Sequence, residues 1–70
     1  MKPVRCEMAG TVLEFKVKVG DTVRSGQEVC VVESMKMEVG VTSPLSGVVM
    51  AIHKKVGEFI NEGDILLELQ

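Results

Sequence analysis

Displaced by 37 residues, the sequence lies on its own second half without a gap. Gly10 meets Gly47, Val12 meets Val49, Lys18-Val19-Gly20 meets Lys55-Val56-Gly57, and Gly26 meets Gly63, six identities between residues 10–33 and 47–70. Conservative pairs join them: Leu13 with Met50, Phe15 with Ile52, Asp21 with Glu58, Val23 with Ile60, Val29 with Leu66, Val32 with Leu69. A repeat unit this short cannot bury an apolar face alone, so two copies must pack against each other. With 70 residues in all, the chain holds one small domain, 1–70.

Each copy has the same layout. A strand is expected over Thr11–Val19, with Leu13, Phe15, Val17 and Val19 alternating. The turn Gly20-Asp21 follows, then a short apolar pair, Gly26, and a β-branched strand Val29–Glu33. The second copy reads Val48–Val56, Gly57-Glu58, Gly63 and Ile65–Leu69. Period-2 alternation broken by Gly every few residues predicts short antiparallel strands. No stretch carries a helical period. The fold expected is all-β, two similar halves face to face as a small sandwich or flattened barrel.

Apolar residues make up 46% of the chain, but Phe15 and Phe59 are its only aromatics. The core must come from Val, Ile, Leu and Met, and Met8 and Met50 are expected inside it. So few aromatics argue against base stacking, and a net charge of −2 against a phosphate-binding face; nucleic acid is not an expected partner. Cys6 and Cys30 are too few for a disulfide framework and read as reduced, buried thiols. The N-terminal residues contain no hydrophobic stretch of signal-peptide length, and the longest apolar run, Val48–Ile52, is too short to cross a bilayer. The expectation is a cytoplasmic protein with no membrane contact; Met1 so close to the first strand favours a stand-alone chain over an excised domain.

One segment breaks the local rules. Ser34-Met35-Lys36-Met37 joins strand Val29–Glu33 to strand Glu38–Thr42 at hairpin length, yet lacks the Asn-Gly or Asp-Gly such turns prefer. Met35 and Lys36 there must take backbone angles costing on the order of 1 kcal/mol or more each. Two methionines beside a lone lysine at a loop tip suggest a surface that another protein reads. A primary amine on a projecting turn can be acylated by an activated carboxyl donor, and its stem then becomes part of a long arm. Lys36 has no mate under the shift; its counterpart falls at position 73, three past Gln70. The chain ends should therefore occupy the equivalent place, at the far end of the molecule from Lys36. No nucleophile–base–orienter set is present, so no catalytic residue is assigned and the chain is not read as an enzyme. No residues are spaced to ligate a metal, and His53 reads as a solvated strand residue.

The run Glu33-Ser34-Met35-Lys36-Met37 resembles the attachment motif of biotinyl domains, usually Glu-Ala/Ser-Met-Lys-Met. Met8-Ala9-Gly10-Thr11-Val12, Val19-Gly20-Asp21-Thr22-Val23, Gly26-Gln27-Glu28-Val29, Ser43-Pro44-Leu45-Ser46-Gly47-Val48-Val49, Val56-Gly57-Glu58-Phe59-Ile60 and Gly63-Asp64-Ile65-Leu66 resemble the same family, so the likeness covers nearly the whole chain. It implies a barrel-sandwich hybrid, two four-stranded antiparallel sheets with a quasi two-fold repeat. It implies a biotin carboxyl carrier of the kind found in acetyl-CoA carboxylase and other biotin-dependent carboxylases. Lys36 would be biotinylated by a biotin protein ligase, loaded on a biotin carboxylase, and discharged at a carboxyltransferase. Met35 and Met37 would shape the motif these partners read, and Glu33 would help the ligase discriminate. Two departures stand out. Cys6-Glu7 replaces the small residue and Pro frequent in relatives, and no protruding loop interrupts the early strands. The chain is thus closer to the minimal biotin/lipoyl attachment proteins or to C-terminal carrier domains. A lipoyl carrier shares the fold, but its lysine usually follows Asp and precedes Ala, where Met35 and Met37 stand here. A third reading, an unmodified sandwich module used for assembly, leaves the lysine motif without a purpose.

Overall fold

The computed structural model describes residues 1–70. Four glycines with positive φ punctuate the chain: Gly20 at 98° and Gly57 at 91°, Gly26 at 88° and Gly63 at 90°. Left-handed backbone of this kind suits Gly, which has no Cβ to clash. The turns they serve are closed by matching side chains. Lys18 N–H donates to Asp21 Oδ2 (3.0 Å) and Lys55 N–H to Glu58 Oε1 (3.1 Å); Arg24 N–H donates to Gln27 Oε1 (2.9 Å) and Asn61 N–H to Asp64 Oδ2 (2.8 Å). These turns separate eight strands: β1 (Lys2–Arg5), β2 (Gly10–Phe15), β3 (Thr22–Val23), β4 (Glu28–Ser34), β5 (Met37–Thr42), β6 (Gly47–Ile52), β7 (Phe59–Ile60) and β8 (Ile65–Leu69). They form two antiparallel four-stranded sheets, β1-β8-β6-β3 and β5-β4-β2-β7. The all-β architecture expected from the repeat is the one present.

The core follows the 37-residue shift almost residue for residue. Val4 and Val41, Val12 and Val49, Val23 and Ile60, Val29 and Leu66, Cys30 and Leu67, and Val32 and Leu69 are all buried. Cys6 pairs the same way with Ser43, the one buried polar residue. Cys6 Sγ donates to the Met8 carbonyl at 2.9 Å and Ser43 Oγ to the Leu45 carbonyl at 2.6 Å. The repeat therefore reaches back to the first residues. β1, absent from the strand pattern read in the sequence, takes the place that β5 holds in the other half. It is an edge strand, where Pro3 does no harm to the ladder.

Three expectations are corrected. The long strands stop at Phe15 and Ile52, not at Val19 and Val56. The chain crosses between sheets there: Lys16 N–H still bonds the Val29 carbonyl, whereas Gly20 N–H bonds the Val49 carbonyl of the opposite sheet. Second, Leu13 does not share the inward face with Phe15 and Val17: a bulge between Val12 and Glu14 turns Leu13 outward, while Val12 and Val17 are buried and Phe15 packs partly against the core. Third, Met50 is exposed rather than core. It occupies the matching bulge of β6, between Val49 and Ala51. Met8 is partly buried against the core, and both cysteines are free and buried.

Candidate functional site

β4 and β5 pair continuously from Cys30–Val41 to Ser34–Met37, leaving Met35 and Lys36 as a two-residue turn. Their φ values, 53° and 64°, are the only positive ones outside glycine. Positive φ at both central positions is the type I′ geometry, whose twist matches that of the flanking strands. The strand register thus imposes on Met35 and Lys36 the conformation that Asn-Gly would adopt with least strain.

The tip is bare. Met35 is 92% exposed and Met37 66%. Lys36 is exposed and makes no hydrogen bond or ion pair, so its amine points free of the domain. An amide formed at Nζ would meet no neighbouring side chain. At the foot of the hairpin Glu33 faces Glu38 directly across the ladder; both are exposed and neither is paired with a cation. The same row continues through Thr11, opposite Glu33, to Phe59, opposite Thr11. Glu33, Met35, Lys36 and Met37, the four residues of the sequence motif, come together on the hairpin. Glu38 and Phe59 join them without belonging to that motif. Glu38 follows once the turn is centred on Met35-Lys36, whereas Phe59 comes from a segment that no local pattern places there.

The chain ends lie away from this tip. β1 begins at Lys2, opposite Leu69, and runs to Arg5. Arg5 and Glu7 share a surface recess with Gly40, Val41 and Thr42, toward the end of β5. β1 thus runs inward from the termini and β5 inward from Lys36, and they meet between the two ends of a molecule 32 Å long.

The other titratable groups are structural in their contacts. His53 lies just past β6 and bonds Glu68 Oε1 at 2.9 Å. Lys54 pairs with Glu58 and Asp64, each at 3.6 Å. Desolvation by burial pushes the Cys30 thiol up from 9.0 to about 11, with smaller contributions from Cys6 and Glu28.

A rigid β frame that presents one unpaired lysine on a strained, exposed turn defines a class: a carrier module rather than a catalytic domain. The family described as Biotin-requiring enzyme matches residues 2–69, and the chain belongs to this family of biotin/lipoyl attachment domains. Among its relatives is the Biotin/lipoyl attachment protein of Bacillus subtilis, 50% identical over 66 residues, which cover 94% of this chain and 90% of that protein. The human mitochondrial propionyl-CoA carboxylase alpha chain is 43% identical over 67 residues, 96% of this chain but 9% of the human one. The solved urea carboxylase of Kluyveromyces lactis superposes with a TM-score of 0.90 at 30% identity, covering 99% of this chain and 6% of the enzyme.

Proposed function

We propose that residues 1–70 act in the cytosol as a biotin carboxyl carrier domain with biotin joined to Lys36 through an amide. The observation that carries this reading is the bare turn itself: a free lysine held at φ 64° between two exposed methionines. Strain of this kind persists where the surrounding structure over-determines it and marks functional sites. The similarity to carboxylase chains, whose full lengths far exceed this one, supports a carboxylase context.

When bound, biotin supplies a ureido nitrogen that takes up and releases a carboxyl group. The residues of this chain do simpler work. Lys36 provides the amine that becomes the anchor and a flexible stem. The β4–β5 ladder fixes where that stem begins. Met35 and Met37 offer apolar contacts on either side of it, and Glu33 helps a biotin protein ligase recognise the segment. The arm then serves a biotin carboxylase and a carboxyltransferase in turn.

Co-expression with an active biotin protein ligase should add one biotinyl group by intact mass and give a streptavidin signal. Lys36→Ala should remove both. A wild-type chain that stays unlabelled beside an active ligase would sink the proposal. The name of the Bacillus relative covers both prosthetic groups, so lipoate on Lys36 is the second reading. Exposure to a lipoate ligase, read by intact mass, separates the two.

A further inference from the structure

The two halves of the chain are interleaved, and a turn of two residues joins them. Residues 1–34 supply β1–β4 and residues 37–70 supply β5–β8. Within the first half only β2 and β4 pair, and within the second only β6 and β8. The other ladders, β1–β8, β2–β7, β3–β6 and β4–β5, all join one half to the other. The core divides in the same way: Val12 and Val32 come from one half, Val49 and Leu69 from the other. Neither half can satisfy its backbone or bury its apolar face alone, since a lone two-stranded hairpin is marginal in water. Each needs the complementary half, but that half need not belong to the same chain.

The turn between the halves is also where the closed chain is strained. Gly20, Gly26, Gly57 and Gly63 take positive φ without a Cβ, whereas Met35 and Lys36 hold φ of 53° and 64° with one. No contact at the tip offsets that cost: Met35 is 92% exposed, and Lys36 makes no hydrogen bond or ion pair. Neither residue is Gly or Pro, so both accept extended backbone and can continue a strand. Short hinges under strain favour exchange of identical elements between copies, because opening releases the strain while every ladder is remade with the other copy.

We propose that this chain pairs with a second copy of itself, the two exchanging β5–β8 across an opened Met35-Lys36 hinge. In the exchanged dimer β4 and β5 run on as one strand over residues 28–42, about 50 Å long. The closed register pairs Glu33 with Glu38 and Ser34 with Met37. Continued through the hinge, it sets Met35 of each copy opposite Lys36 of the other, so the bare methionine gains a neighbour. Each lobe keeps the ladders and core of the monomer, and the strain is released at two positions in each of two chains. The dimer holds its two Lys36 amines on one hinge, which on the carrier reading places two arms side by side. The exchange itself goes beyond that reading and stands whether or not Lys36 is acylated.

Exchange has to pass through opened chains, because neither half is stable alone, so the test starts from unfolded protein. Wild-type chain refolded from urea at about 1 mM should yield a species of twice the 7.6 kDa chain mass by size exclusion with light scattering. Isotope-labelled and unlabelled chains refolded together should give mixed dimers by native mass spectrometry. The two dimers mixed after folding should trade chains no faster than they unfold. Met35→Asn with Lys36→Gly removes the strain from the closed turn and should weaken dimerisation roughly thirtyfold or more. A wild-type chain that refolds only as monomer would overturn the exchange. So would dimers that trade chains while folded, or that form equally well in the double variant. Each of these results leaves the carrier reading intact, because that reading is tested on Lys36 by intact mass.

Discussion

Met35 and Lys36 hold φ of 53° and 64°, where a residue with a Cβ costs on the order of 1 kcal/mol or more. A turn optimised for stability would carry Asn-Gly here. The double change Met35→Asn with Lys36→Gly should therefore stabilise the domain by about 1 kcal/mol or more. Its Tm, read by circular dichroism, should rise by roughly 4–8 °C. The same change removes the amine, so on the proposed function the most stable hairpin is a useless one. Cys30 shows a different residue-scale effect. Its thiol is neutral in the buried site, and the fold raises its pKa from 9.0 to about 11. The stability it contributes is intact below pH 9 and is lost as pH climbs from about 9 to about 11. Unfolding free energies from urea titrations across that window should fall more steeply for wild type than for Cys30→Val, by up to roughly 2–3 kcal/mol.

At the scale of elements, β2 flanks β4, the first strand of the hairpin, and approaches it closely at Gly10. A Cβ built on Gly10 would lie 2.4 Å from the Glu33 carbonyl oxygen and 2.5 Å from Val32 Cγ1. Gly47 meets Gln70 and Leu69 in the same way in the other half. Backbone cannot step aside cheaply, so Gly10→Ala should cost roughly 1–3 kcal/mol in chemical denaturation. It should also disturb the strand from which Lys36 projects. Gly40→Ala is the informative contrast. Its Cβ would meet only the end of the Glu28 side chain, which can swing away, and the loss should stay under about 1 kcal/mol. The bulges are element-scale features as well. They sit at matching positions, Leu13 and Met50, and turn both side chains outward.

Over the whole molecule, each sheet supplies half of one core. Val12 and Val49 are equivalent, fully buried, and on opposite sheets. Each Val→Ala change should cost about 2–3 kcal/mol by equilibrium urea unfolding, and the two values should agree within about 1 kcal/mol. A clear inequality would show that the two halves do not share the load. The quasi two-fold arrangement also sends Lys36 and the chain ends in opposite directions, so anything attached at the termini leaves the hairpin clear.

The internal repeat alone determined the all-β class, the pairing of the halves and most of the buried positions, because burial repeats when a strand pattern repeats. It also marked Lys36, since a tight turn without Gly conflicts with local preference and such conflicts are visible in a sequence. Tertiary structure decided the rest. Crossovers between sheets ended the strands at Phe15 and Ile52, and bulges reversed the faces of Leu13 and Met50; alternation cannot register one extra residue in a ladder. Only the pairing of β7 with β2 brought Phe59 into line with Glu33 and Glu38, because neighbours across a sheet are set by register and not by distance along the chain. Lys36 was legible as a residue, and the surface beside it was not.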